Sequence, residues 1–106
     1  MQEFKIKKED IKKLIDIKGS CIASNKITIE GNKIGYMYRE EPSNEVDTGW
    51  RFFAGNENEA YTNNPGNFNV FELNTICNYD ETIIPYLDNP IGSSFEKNNE
   101  VFKKVD

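Results

Sequence analysis

The side chains of this chain that could do chemistry are carboxylates, two thiols and two guanidinium groups; there is no histidine. That absence removes Ser-His-Asp and Cys-His relays and imidazole acid–base catalysis, and it leaves Cys21 and Cys77 as a poor zinc set. Glu40 and Glu41 directly follow Arg39 at the end of an expected strand. Neighbouring strand residues point to opposite faces, so these two acids do not form the facing carboxylates that hydrolysis needs. A pair assembled from distant acids would depend on the fold and not on spacing. Asn44–Gly49 and Asn56–Glu59 resemble calcium loops only superficially, because neither follows D-x-[DN]-x-[DN]-G with Glu at the twelfth position. Gly31, Gly35, Gly49 and Gly55 build neither GxGxxG nor GxxxxGK[ST] and read as turn and strand-end residues. No metal and no cofactor is expected.

The most informative stretch, GYMYREEPSNEVDTGWRFFAG from Gly35 to Gly55, holds no visible catalytic apparatus, and the residues alone lead no further than a soluble, acidic α+β domain. The stretch reads as two aromatic strands joined by an acidic loop. Alternation places Trp50, Phe52 and Ala54 on one face and Arg51 and Phe53 on the other, so an aromatic on each face predicts a central strand covered on both sides. Arg51 has two readings, an internal partner for a nearby carboxylate or an anchor for another molecule. Tyr36, Tyr38 and Tyr61 suit a core edge and an interface equally well. The two cysteines are expected as free, mostly buried thiols, although a single disulfide is open to them.

Around this centre, Ile11, Leu14 and Ile15 predict a short helix over 9–18, with Gly19 as its stop. Gly31-Asn32 predicts a hairpin turn that pairs Glu30 with Lys33, Ile29 with Ile34 and Ile27 with Tyr36. A single helical turn is expected around Glu57 to Tyr61. Leu73, Ile76 and Cys77 show helical spacing, and Asp80 is a good N-cap for a short helix containing Ile83 and Ile84, which Pro85 keeps from being long and regular. Asn89-Pro90-Ile91-Gly92 reads as a turn. A second hairpin is expected about Asn98-Asn99, with Lys97 opposite Glu100 and Phe95 opposite Phe102. These elements predict an α+β domain with a four- to five-stranded, mostly antiparallel sheet and about three short helices.

At 106 residues the chain has the length of one domain. The expected division is an N-terminal helix or tail over 1–20 and the main α+β unit over 21–106. The net charge of −5 is unevenly placed: residues 1–18 are rich in lysine, whereas 39–60 and 72–106 are acidic. An acidic surface repels phosphate backbones, so no nucleic-acid partner is expected, and it steers basic partners toward itself. No run approaches the roughly 20 apolar residues of a membrane span. The start, MQEFKIKKED, has no apolar signal core, so a cytoplasmic location is expected.

The segments MYREEP at Met37 to Pro42, GWRFFAG at Gly49 to Gly55, NYD at Asn78 to Asp80 and PIGSSFE at Pro90 to Glu96 resemble a bacterial family. That family is known as immunity-protein family thirty-three of polymorphic toxin systems, formerly a domain of unknown function. The resemblance covers roughly residues 21–97. It implies an α+β fold and a non-catalytic protein that binds and neutralises a cognate toxin. Family members are often acidic around the positions that here are Asn56 and Asn58. With the resemblance added, the partner is expected to be a basic toxin protein, and the candidate contact residues are Glu40, Glu41, Glu45, Asp47, Arg51 and Tyr61. The alternative is a small-ligand-binding or regulatory accessory domain with Trp50, Tyr36 or Arg51 lining a pocket. A carboxylate enzyme stands third.

Overall fold

The computed structural model describes residues 3–105. Six strands form one mixed sheet: β1 (Ser20–Ser24), β2 (Tyr36–Arg39), β3 (Asp47–Phe53), β4 (Phe68–Glu72), β5 (Ser94–Asn98) and β6 (Val101–Val105). Their order across the sheet is β4-β1-β3-β2-β5-β6. Three short α-helices are present, α1 (Asn25–Thr28), α2 (Glu59–Thr62) and α3 (Leu73–Cys77), with 3-10 turns at Lys8–Asp10, Pro65–Asn67 and Glu81–Tyr86. The α+β class agrees with expectation, but the sheet has more strands than expected and is not wholly antiparallel. β1 and β3 run parallel, with a register shift between Ser20 and Ile22. Parallel neighbours need a long crossover, and the segment 25–46, which contains α1 and β2, provides one.

β3 is central, as its aromatic alternation predicts, but it is not fully covered on both sides: Phe53 is half-buried on a face that keeps two open grooves. Trp50 and Phe52 are fully buried on one face with Met37, Cys21, Ala23 and Phe95. Ile27 of α1, Leu73, Ile76 and Cys77 of α3, and Ile83 and Leu87 near the 3-10 turn Glu81–Tyr86 close over them. The Trp50 indole N–H donates to the Leu87 carbonyl at 3.2 Å, so the one polar atom of the largest core side chain is satisfied. Both cysteines are free and buried. Burial pushes the Cys77 thiol up to about 11 and drives Cys21 higher still, so neither carries a reactive thiolate near neutral pH.

The expected helix over 9–18 is not formed. Beyond the 3-10 turn the chain is irregular, and its backbone is held by side-chain amides of α3. Asn74 Oδ1 accepts from the N–H of Leu14 at 2.7 Å and of Ile15 at 3.2 Å, and its Nδ2 donates to the Lys12 carbonyl at 2.9 Å. Asn78 grips both the N–H and the C=O of Lys12, each at 2.9 Å. These bonds satisfy groups that a helix would have satisfied internally, while Leu14 and Ile15 still pack on the core.

The expected hairpin at Gly31-Asn32 is also absent. Ser24 caps α1 by accepting from the Lys26 N–H at 3.2 Å, which turns the chain into a helix where the strand pairing would have continued. The N–H of Ile34 goes to the Asp80 carboxylate at 3.0 Å, not to Ile29. The second hairpin exists with its turn one residue later. Asn99 and Glu100 both have positive φ, 53° and 67°, the signature of a two-residue type I′ turn. Lys97 therefore pairs with Phe102 and Phe95 with Lys104. The slip of one residue at the turn moves the pairing sum by two, so Phe95 and Phe102 still share the core face. The helical spacing in α3 and the Asp80 cap are as expected. Asp80 accepts from the Thr82 N–H at 3.1 Å, and Pro85 lies in a 3-10 turn.

Gly49 shows how tightly β2 and β3 are joined. It has φ +88°, and a Cβ there would overlap the carbonyl oxygen of Glu40, which belongs to the residue whose own N–H donates to the Gly49 carbonyl at 2.9 Å. Gly49→Ala should lower stability by about 3 kcal/mol, combining backbone strain with loss of that contact. Gly92, at φ +98° with nothing within 4 Å of an added Cβ, should lose only about 1 kcal/mol on the same change. Urea midpoints of the two variants test the contrast. Asn74→Ala should release the segment 11–17, seen as faster amide exchange at Leu14 and Ile15 with the sheet amides unchanged.

Candidate partner-binding face

The face of the sheet opposite α1 and α3 is largely open. Register places Val70, Ile22, Arg51, Tyr38 and Ser94 in one row across five strands, with Phe53, Tyr36 and Glu96 in the next. Tyr38 and Phe53 stack at 5.9 Å and 15°, and Phe68 meets Phe53 edge-on at 5.6 Å. All three rings are half-buried. Val70 is 69% exposed. The excursion 54–67, which contains α2, leans over one side of this face. Two open grooves result, one of about 520 Å³ between Ile22, Tyr38, Arg51, Phe68 and Pro65, the other of about 810 Å³ between Tyr36, Phe53, Gly55, Glu57 and Lys97.

Arg51 sits in the middle of this face yet is only 5% exposed. Its guanidinium makes a two-pronged pair with Asp47, Nη1–Oδ1 at 2.9 Å and Nη2–Oδ2 at 2.7 Å, and its Nε donates to Glu40 Oε2 at 2.7 Å. Nη1 also donates to the Trp50 carbonyl at 3.0 Å. Of the two readings of Arg51, the structure shows the internal partner. The Arg51 hydrogen bonds, reinforced by the Ser43 and Gly49 N–H groups and opposed by burial, hold the Asp47 carboxyl well below the usual carboxylate range. The same pairing raises Arg51. Burial, helped by Glu40, raises the Tyr38 phenol.

Asp47 also shapes the acidic loop. Its carboxylate accepts from the Ser43 N–H and hydroxyl at 2.8 and 3.1 Å, and from the Gly49 N–H at 2.9 Å. Asn44 Oδ1 accepts from the N–H groups of Val46 and Asp47. Glu41 and Glu45 are thereby left exposed on a fixed loop, while Glu40 reaches back to Arg51. The second stretch compared with a calcium loop is likewise built on its own backbone: Glu57 accepts from the N–H groups of Ala54 and Gly55 at 2.8 and 2.9 Å, and Asn58 caps α2. Tyr61 lies on α2, edge-on to Phe68 at 6.0 Å and beneath the Lys26 ammonium at 5.1 Å.

Of the six candidate residues, Glu40, Asp47 and Arg51 are bonded together, Glu41 and Glu45 stand on the adjoining loop, and Tyr61 flanks the aromatic patch from the far side. Trp50, considered for a pocket wall, is fully buried and lines neither groove. Residues missed from sequence are Ile22, Phe68 and Val70. They lie on β1 and β4, whose alternation could have exposed them had those strands been recognised. Among the described residues no three of Cys, Asp and Glu converge as a metal-binding group, and no helix is long and apolar enough to cross a membrane.

The aromatic face thus carries two open grooves, with the exposed carboxylates of Glu40, Glu72 and Glu96 on its strands or at their ends. The immunity protein Imm33 domain family matches residues 21–106, most of the chain, and the chain belongs to that family. No curated protein and no solved structure matches it significantly.

The depressed Asp47, Asp80 and Glu57 carboxyls set the direction of acid sensitivity. A carboxyl lower in the folded state than in the unfolded chain stabilises the fold above its unfolded value, and that contribution is lost as pH falls through the folded value. Melting temperature should therefore change little from these groups above about pH 5 and fall steeply below about pH 4. Asp47→Asn removes the buried carboxylate from Arg51, leaving half-exposed Glu40 as its remaining counter-charge, and should cost about 3 kcal/mol at neutral pH while flattening the acid limb. Thermal melts across pH check both.

Proposed function

We propose that this chain is a non-catalytic immunity protein that binds a cognate toxin of a bacterial polymorphic toxin system and neutralises it in the cytoplasm. Membership of the immunity-protein family carries this reading. The open aromatic face and the acidic loop beside it support it physically. Exposed carboxylates accelerate encounter with a basic protein, and half-buried aromatic rings supply short-range affinity once docked. In this reading Glu40, Glu41, Glu45 and Tyr61 meet the toxin directly. Asp47 and Arg51 act from beneath, holding the loop and the Glu40 carboxylate in place. The partner is a basic protein, with neither nucleic acid nor membrane required.

Co-expression with each toxin-like gene product encoded beside it tests the proposal. Protection of the host cell and recovery of a stable complex are the expected results; failure to protect against any of them would sink it. Glu41→Lys combined with Glu45→Lys should slow association at low salt by roughly tenfold while leaving the urea midpoint within about 0.5 kcal/mol of the parent. Stopped-flow association and urea unfolding of the same double variant provide the two readings. An unchanged association rate would remove the acidic loop from the encounter.

A further inference from the structure

The open face carries one negative charge that its internal pairing leaves over. Asp47 neutralises Arg51, and Glu40 adds a second carboxylate to the same guanidinium, so the three together are net negative by one. Glu40 spends Oε2 on Arg51. Among the described residues no hydrogen-bond donor reaches its Oε1, and its side chain is 50% exposed. This carboxylate stands at one end of the groove of about 520 Å³, whose walls are Ile22, Tyr38, Phe53, Phe68 and Pro65. Aromatic faces and a carboxylate attract the same kind of guest, a cation on an apolar stem.

Other guests fit worse. An anion would face Glu40 and find each nitrogen of Arg51 already donating inward. A wholly apolar side chain would bury the unbonded Oε1 of Glu40 and the charge that Arg51 leaves unmatched, which is costly. Resting on the toxin-binding reading above, we propose that this groove receives an arginine or lysine side chain of the partner protein. Its stem lies along Ile22, Phe53 and Phe68, and its cationic head pairs with Oε1 of Glu40. The encounter charges of the loop and this anchor are then separate devices: Glu41 and Glu45 steer, and Glu40 holds.

The test uses the full chain, labelled with nitrogen-15, and three probes at low salt. These are a terminally blocked Gly-Gly-Arg-Gly-Gly peptide, its glutamate counterpart and tetramethylammonium. The arginine peptide should give saturable shifts centred on the amides of Ile22, Tyr38, Phe53 and Phe68, and the glutamate peptide none. Glu40→Gln should weaken the arginine peptide by at least about fivefold, and Phe68→Leu, which keeps apolar bulk but removes the ring, by at least about threefold. Phe68→Leu leaves the ion pairs intact and carries the test alone if Glu40→Gln does not fold. Absence of saturable shifts, shifts centred instead on Glu41 and Glu45, or indifference to the variants would overturn the proposal. Tetramethylammonium binding as tightly as the arginine peptide would also overturn it, marking a small-cation site. Loss of the anchor would leave protection from the toxin standing. Conversely, failure of protection with a groove that still binds arginine would remove the toxin and leave the cation site.

Discussion

The two-pronged bond between Arg51 and Asp47 is the constraint from which the open face is built. A guanidinium in the middle of a sheet is expensive to desolvate, and a buried pair repays that cost only when the remaining donors and acceptors are satisfied. Here they are: Asp47 takes further bonds from Ser43 and Gly49, while Arg51 also reaches Glu40 and the Trp50 carbonyl. The pair is better understood as a device for position than as a source of stability. Asp47 begins β3 and ends the acidic loop, and Arg51 follows it on the same strand. One interaction thus fixes where the loop leaves the sheet, which way Glu40 turns and where Tyr38 stacks.

The two faces of the sheet divide the work. Trp50 and Phe52 look toward the core helices, while Arg51 and Phe53, their immediate neighbours, look toward the open face. The strand that anchors the fold also displays the site, so any change that rotates β3 disturbs both. In the proposed reading the family supplies the kind of partner, and the outward face offers carboxylates on a hydrogen-bonded loop, rings beside them and a groove between.

Much of this was legible in the sequence where the controlling forces were local. The alternation from Trp50 to Phe53, the helical spacing of Leu73, Ile76 and Cys77, the cap at Asp80 and the acidity of the loop all act over a few residues. The misread elements have other causes. The Ser24 cap that turns the chain into α1 is local and was passed over. Beyond it, the helix expected at 9–18 was lost to Asn74 and Asn78 and the Ile34 N–H of the expected hairpin to Asp80, polar side chains distant in sequence that took the backbone groups. Periodicity cannot anticipate such competition, because the competitor lies some 46 or more positions away. The late turn at Asn99-Glu100 is a smaller miss, since the charge pairing Lys97–Glu100 was outweighed by the ion pair of Lys97 with Asp80 at 2.8 Å. Arg51 was legible as a paired or an anchoring residue but not as which of the two, because that depends on Asp47 lying four residues back on the same face of the strand.

The grip of Asn74 and Asn78 on the segment around Lys12 involves only amide and carbonyl atoms of the gripped chain. A hold of that kind is blind to side-chain identity. Around Lys12, between the core contacts of Ile6, Leu14 and Ile15 and the glycine required at Gly19, side chains such as those of Lys12 and Lys13 can change without loosening that hold. The tether can change its lettering from one lineage to the next while its course over the surface stays the same.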